Sequence, residues 1–315
     1  MAGRTISQDE INIYDRQIRL WGIDAQTRIS NSRVLLVKIR ELAEEIGKNL
    51  VLAGIGSLTL LDGEKIDSIG SNAHFCIHSS DIGKTYAEAV SNVLKKLNPS
   101  AKLVANTADI YEVPDDYFSS FDVVISCELD LDSMIRLNTI CRRHGIAFYS
   151  CAMYGFYGYI FSDLIEHTYS VYAPGRPKKS VEIQSTEYYC PLSEVIHHKF
   201  GETLTQRRKK KNQGLWKFQQ KFSHFPSNSE EIAQYLSLIE EINAQFGLSK
   251  DILENNVLVQ SNLAKKANCK WSPVASVIGG VLAQDILNVL SKQERPIQNL
   301  FLFDGEICAG PIYQV

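Results

Sequence analysis

Apolar runs of strand length alternate with segments of helical periodicity through the first half of the chain. Parallel strands are joined by helical crossovers, so this alternation is typical of a parallel sheet covered by helices. It predicts an α/β fold with a Rossmann-like, doubly wound sheet. The predicted strands are 33–37, 57–61, 101–105, 122–126 and 146–150, and the predicted helices are 41–53, 84–97 and 132–144.

The segment before this pattern is predicted to be helical. Ser7 and Glu10 have the Ser-x-x-Glu spacing of a capping box. The helix is expected to continue to a break at Gly22, and Asp24 is expected to cap a second short helix.

The second half of the chain has a different pattern. Residues 156–161 and 168–172 are predicted to pair as strands, 173–188 to form a loop, and 192–266 to be mostly helical. The apolar stretch 273–290 is predicted to be a core helix, in which Gly279-Gly280 indicates close packing on another backbone. Residues 300–303 and 307–313 are predicted as closing strands. These patterns divide the chain into an α/β part (1–190), a small helical insert (191–266) and a returning helix with strands (267–315).

Composition excludes several function classes. The formal net charge of −3 over 315 residues provides no basic field for a nucleic-acid partner, and no run of about 18 apolar residues predicts a membrane span. The N-terminus is polar and has no secretory pattern. The seven cysteines are scattered without a Cys-x-x-Cys pair, which argues against a zinc site and for reduced thiols.

The turn after the first strand lacks the glycines of a phosphate-binding loop. It contains Lys38, Arg40, Glu41 and Ala43, and the segment from residue 38 onwards has no glycine until Gly47. Side chains would occupy the space that phosphates need, and the glutamates would repel them. This argues against a nicotinamide dehydrogenase and predicts a unit that keeps the fold without the pocket. A role for Lys38 and Arg40 as cationic ligands is the alternative.

Four segments together resemble the ubiquitin-like modifier activating enzymes. YDRQIRLWG at 14–22 is similar to the N-terminal signature of that family, and EEIGKNLVLAGIGSLTLLD at 44–62 to a helix and strand of its adenylation domain. PVASVIGGVLAQDI at 273–286 is similar to its C-terminal helix, and FLFDG at 301–305 to its tail. The order and spacing of these segments make the resemblance specific.

The resemblance implies ATP- and magnesium-dependent adenylation of a modifier's C-terminal glycine, followed by transfer to a cysteine. Adenylation domains of this family occur in pairs, and in heterodimers only one subunit has the complete ATP site. Here the family's Asn-Arg-Gln-Phe stretch is Asn-Ala-His-Phe at 72–75, and its metal-binding aspartate corresponds to Leu129, although Asp130 and Asp132 are close. Asp62, at the family's ribose-binding position, is expected only to cap its strand. The chain is therefore expected to bind no cofactor or metal, with ATP and magnesium in a partner subunit.

In its length and in the Tyr-Cys-Pro step at 189–191, the chain resembles the small, non-catalytic subunits of heterodimeric SUMO-activating enzymes more than their counterparts in the family. The resemblance implies a larger, cysteine-bearing partner, SUMO or a related modifier, and contact with a conjugating enzyme through the complex. It also implies that Arg16 reaches the phosphates in the partner's ATP site, with Arg19 as the second candidate. A surface salt bridge from Arg16 to Asp15 or Glu10 is the competing interpretation.

Alternative interpretations stay open for one cysteine, for a basic run and for the function as a whole. Cys190, beside Pro191, is a candidate thioester nucleophile. The family's catalytic cysteine, however, lies in an inserted domain whose motif is absent here, so Cys190 is expected to be buried or to have only a local role. The basic run 207–211 is a nuclear-import signal, a solvated loop or a contact for acidic partners. The expected location is the nucleus, with the cytoplasm as a second site. The rival functions are a subunit for another modifier, a homodimeric sulfur-carrier adenylyltransferase and a pure scaffold.

Overall fold

The computed structural model describes residues 4–67, 74–173, 181–197, 204–245 and 257–315. Its centre is an eight-stranded sheet with the strand order β10-β9-β6-β5-β4-β1-β2-β3, and β7 and β8 form a separate two-stranded sheet. The strands are β1 Arg33–Val37, β2 Ser57–Leu61, β3 Lys102–Asn106, β4 Val123–Cys127, β5 Ala147–Tyr154, β6 Tyr157–Asp163, β7 Glu166–Ala173, β8 Val181–Tyr188, β9 Leu300–Asp304 and β10 Ile312–Tyr313.

Helices cover both faces of this sheet. In the described part of the chain they are α1 Gln8–Ile13, α2 Asp15–Trp21, α3 Ile23–Asn31, α4 Glu41–Leu52, α5 Tyr86–Leu97, α6 Leu131–His144, α7 Leu192–His197, α8 Leu204–Phe222, α9 Ser229–Gln245, α10 Val257–Lys266 and α11 Ser272–Ser291. The strands β3, β2, β1, β4 and β5 are parallel, whereas β6, β9 and β10 are antiparallel. The prediction of a doubly wound α/β sheet with a helical insert is confirmed.

Successive residues of the central strands face two different cores, which explains why the strands are apolar without alternation. Leu36 of β1 lies in the core beneath α4, α5 and α11, while Leu35 lies in the core beneath α6 and α8. Both residues are fully buried. A strand covered on both faces needs apolar residues at every position, and this is what the continuous runs predicted.

Helix α11 is a core helix that lies against α4. A Cβ at Gly279 would be 2.9 Å from the Cβ of Glu45, so the predicted close approach is confirmed there, whereas Gly280 has open space around it. By length and composition α11 could cross a membrane, but 61% of its apolar window is buried inside the protein. Such burial is typical of a core helix.

Several sequence predictions were wrong in detail. Residues 157–163 pair with β5 and β9 instead of with β7, whose partner is β8. The predicted loop at 173–188 contains β8, and the last strand is shortened to Ile312–Tyr313. Glycine at 22 ends α2 as predicted, but the N-terminal helix also breaks at Tyr14, and α3 begins before Asp24. The basic run 207–211 lies within helix α8 and not in a loop.

Candidate functional site

Arg16 lies on α2, a short helix at the protein surface. The capping box of Ser7 and Glu10 forms as predicted and begins α1, which is followed after Tyr14 by α2. No residue of α2 is buried, and Arg16 is exposed. The structure therefore presents this side chain to solvent or to a partner.

The two acids that could have paired with Arg16 have other partners. Asp15 accepts a hydrogen bond of 3.1 Å from the Nε of Arg19, and Glu10 pairs with Arg4. In the part of the chain that the structure describes, the Arg16 guanidinium has no ion pair or hydrogen bond. The competing salt-bridge interpretation is thus wrong for Arg16, and it applies to Arg19 instead.

Large apolar side chains are exposed around Arg16. Leu20, one helical turn further along α2, is 78% exposed, and Ile13 and Ile23 at the flanking helix ends are also exposed. Exposed apolar residues beside an unpaired arginine are typical of a protein–protein interface, in which aromatic, apolar and arginine side chains are enriched.

The glycine-poor turn after β1 is filled by its own side chains. The Arg40 guanidinium lies 2.7 Å from Asp62, also pairs with Glu64, and stacks over the ring of Tyr86 at 3.9 Å. Asp62 further accepts N–H groups from Ile39 and Glu64, at 2.7 and 2.9 Å. The carboxylate at the family's ribose position is therefore saturated by groups of this chain.

Lys38 occupies the other side of the turn. Its backbone has φ +61°, and its Nζ donates to the carbonyl of Glu128 at 2.9 Å. Burial lowers the pKa of the Lys38 ammonium below its ordinary value. The carboxylate of Glu128 pairs with Lys270, which precedes α11. Lys38 and Arg40 are therefore engaged in internal contacts.

The first turn of α4 carries a buried group of charges. Glu44 is fully buried and accepts the N–H groups of Phe75 and Cys76 at 2.9 and 3.0 Å. Its carboxylate also meets one nitrogen of His74, whose other nitrogen lies 3.2 Å from Glu41. Burial works to lower the pKa of His74, but the hydrogen bond and charge of Glu44, with the charge of Glu41, raise it.

The contacts with His74 explain why acidic residues stand at 41 and 44, where the glycine-rich loop of a nucleotide site would end. Glu41 and Glu44 bind His74 and hold the following backbone, and Ala43 between them is fully buried. Asn72 and Ala73, where the family's arginine is missing, lie outside the described residues. The sequence analysis did not assign His74 to this group: His74 is the third residue of the Asn-Ala-His-Phe stretch at 72–75, and no local pattern links it to the glutamates of α4.

The position of the family's metal-binding aspartate offers no free ligand. Leu129 is buried, and Asp130 caps α6 by accepting the N–H and hydroxyl of Ser133 at 2.9 and 2.6 Å. Across the described residues, no three His, Cys, Asp or Glu side chains converge as a possible metal site. Leu129 therefore supplies no oxygen ligand at this position, and Asp130 is engaged in capping α6.

Cys190 does not have the environment of a nucleophile. Its Sγ donates to the backbone carbonyl of Val315 at 3.0 Å, and burial raises its thiol pKa above the ordinary value. A reactive cysteine needs a lowered pKa. This geometry agrees with the expectation that Cys190 has only a local structural role.

Comparison with known proteins gives the family. The sequence profile of the ThiF family matches residues 14–307, which is nearly the whole chain.

The chain belongs to the ThiF family.

Several known proteins are similar to this ThiF-family chain over nearly its whole length. It is 36% identical to SUMO-activating enzyme subunit 1 of Xenopus tropicalis, over 97% of this chain and 95% of that protein. It is 33% identical to DNA damage tolerance protein rad31 of Schizosaccharomyces pombe over the full length of both. The human SUMO-activating enzyme subunit 1 is 31% identical over 96% of this chain and 94% of its own. The family resemblance predicted from the four sequence segments is confirmed.

Proposed function

We propose that this chain is the small, non-catalytic subunit of a heterodimeric SUMO-activating enzyme and supplies Arg16 to the ATP site of its larger partner. The observation that carries the proposal is the exposed guanidinium of Arg16, which has no ion pair or hydrogen bond with any described residue. Relatives of matching length named as subunit 1 of that enzyme support the choice of modifier and of a larger partner.

The role of Arg16 follows from its chemistry. A fixed guanidinium beside a polyphosphate offsets negative charge and orients the group that leaves. Such an arginine, supplied by a neighbouring subunit, stabilises the charge that develops during phosphoryl or adenylyl transfer. The complex would then form a modifier adenylate and pyrophosphate, and afterwards a thioester on the partner's cysteine, from which a conjugating enzyme receives the modifier.

ATP and magnesium are assigned to the partner in this proposal. The internal contacts of Arg40, Asp62 and Lys38 support this assignment, because a nucleotide would have to displace a buried ion pair. The chain alone should therefore be inactive, which separates it from a homodimeric sulfur-carrier adenylyltransferase.

The first experiment is ATP–pyrophosphate exchange with purified SUMO. The chain alone, the larger subunit alone and the mixture of both are compared. Exchange that needs the mixture supports the proposal. Exchange by the chain alone refutes it in favour of an independent adenylyltransferase, and exchange only with a different modifier refutes the choice of SUMO.

The role of Arg16 is tested with a matched control on the same helix. Arg16→Ala should lower the exchange rate of the assembled complex by about 10² or more, because one charge-stabilising donor is lost. Arg19→Ala removes another exposed charge of α2, one that pairs with Asp15, and should leave the rate within about twofold. Subunit association is measured for both variants by light scattering. Equal rates for Arg16→Ala and the unmodified complex would indicate a pure scaffold.

A further inference from the structure

Among the residues that the structure describes, the hydrogen bonds that join helix α2 to other elements lie at its two ends. Among the seven residues of Asp15–Trp21 none is buried, whereas Tyr14, directly before the helix, is only 5% exposed. A short exposed helix has little stability of its own, so its direction depends on its attachments. The direction of α2 sets the direction of Arg16.

The first attachment is a clamp around the phenol of Tyr14. The side-chain Nδ2 of Asn98 donates to the Tyr14 hydroxyl at 2.8 Å and to the carbonyl of Val51 at 2.9 Å. This amide therefore ties the phenol to the last turn of α4. Asn98 is itself the C-cap of α5, so two core helices hold one side chain.

Gly54 makes room for the clamp. It has φ +84°, and a Cβ at this position would lie 2.4 Å from the Cζ of Tyr14 and 2.6 Å from its hydroxyl. Glycine is thus required both for the backbone conformation and for the approach of the ring. The residues Tyr14, Gly54 and Asn98 form one unit, the Tyr14 clamp.

The second attachment is at Trp21. Its indole N–H donates to the side-chain oxygen of Gln26 at 3.0 Å, and its carbonyl accepts from the side chain of Gln293 at 2.7 Å. Its ring also packs against the core beneath α4 and α11. With both ends held, the exposed face between them has a fixed orientation.

We propose that the Tyr14 clamp is a positioning device for Arg16, an inference that rests on the proposed function. The carbonyl of Tyr14 accepts the N–H of Ile18 at 2.9 Å, so the clamped residue begins the hydrogen-bonding of α2 itself. Arg16 follows two residues later. A displacement of about 1 Å in a group that orients a reaction can lower the rate by about 10²-fold, and release of the clamp permits such a displacement.

A double-mutant cycle in the assembled heterodimer tests this inference by pyrophosphate exchange. Tyr14→Leu keeps an apolar side chain but removes the ring and the hydroxyl. It should lower kcat by about tenfold or more, while KM for the modifier stays within about twofold. In the Arg16→Ala background the same change should have almost no further effect, because the clamp acts only through Arg16.

Tyr14→Phe provides the milder variant, since it removes the hydrogen bond to Asn98 and keeps the ring beside Gly54. It should lower kcat by about threefold, in keeping with a single neutral hydrogen bond, and Arg16→Ala should abolish this effect as well. This variant decides the question if Tyr14→Leu fails to assemble.

The outcomes separate the inference from the proposed function. If Arg16→Ala lowers the rate and the Tyr14 variants lower it equally in both backgrounds, the clamp is only structural and the inference fails while the function stands. The same holds if neither Tyr14 variant alters kcat. If Arg16→Ala itself leaves the rate unchanged, the proposed function fails and the inference with it.

Discussion

Replacing Arg40 with alanine should destabilise the folded chain by about 3 kcal/mol. The Arg40 side chain is 13% exposed, and the Asp62 carboxylate that it meets at 2.7 Å is 6% exposed. Removing one partner of a buried ion pair costs about 3–5 kcal/mol because the other charge stays buried. The two backbone N–H groups on Asp62 persist and favour the low end of this range. The pair with Glu64 adds little, because the Glu64 side chain is 64% exposed.

Denaturant unfolding of the isolated chain measures this loss, with Arg40→Lys as the matched control. Lysine keeps the charge but cannot contact both acids through a planar fork, so about half of the loss is expected. The same variants are assembled with the larger subunit, and KM for ATP in pyrophosphate exchange should stay within about twofold.

A different result would refute the reasoning about the filled turn. If Arg40→Ala raised KM for ATP severalfold and left the unfolding free energy unchanged, Arg40 would be a nucleotide ligand and not an internal partner of Asp62. The chain would then have replaced its glycine-rich loop with cationic side chains, which is the alternative stated for Lys38 and Arg40.

Two further predictions concern stability and location. Burial raises the pKa of Asp285 to about 6 against an ordinary 3.8, although hydrogen bonds from the Tyr149 hydroxyl and the Ile297 N–H work to lower it. At about 1.4 kcal/mol per pKa unit this disfavours the folded state at pH 7 by about 3 kcal/mol, a penalty relieved as pH falls from about 6 towards 3.8. Asp285→Asn should therefore flatten the dependence of melting temperature on pH in that interval, and an unchanged slope would contradict the assignment. Replacing the five basic residues at 207–211 with glutamine should move a fluorescent fusion of the full chain from nucleus to cytoplasm, whereas retained nuclear signal would contradict an import function.

The fold was predictable where the sequence pattern reflects burial. The continuous apolar runs of β1, β2 and β4 predicted strands covered on both faces, and the bounds of β1 and β2 agree with the structure. Polar surface strands carry no such pattern, because a two-stranded sheet with exposed side chains needs no apolar alternation. This is why β8, with its sequence VEIQSTEY, was predicted as part of a loop.

The pairing of strands was less predictable than their existence. Residues 157–163 and 168–172 are neighbours in sequence, but β6 pairs with β9, which is more than 130 residues away along the chain. Such pairing depends on the return of α11 across the sheet and has no local signal. Sequence proximity favoured the following strand, β7, whereas β6 pairs with the preceding strand, β5, and with β9.

The candidate site was predictable in its residues but not in their contacts. The loss of glycine before Gly47 indicated a filled turn, yet it could not indicate that Arg40 would bind Asp62. For Arg16 the sequence left two acidic partners open. The structure shows that Arg19 holds Asp15 and Arg4 holds Glu10. The first pair has the i, i+4 spacing of helix neighbours, whereas the second joins α1 to the segment before it and has no such spacing.

The contact of Arg40 with Asp62 has a consequence for how the chain responds to its surroundings. A freely diffusing ligand stabilises its protein in proportion to the logarithm of its concentration, so such a protein loses stability when the ligand is depleted. A side chain tethered at the same position is always present and cannot be diluted. Under the proposed function, the melting temperature of the isolated chain should therefore not change with the concentration of ATP.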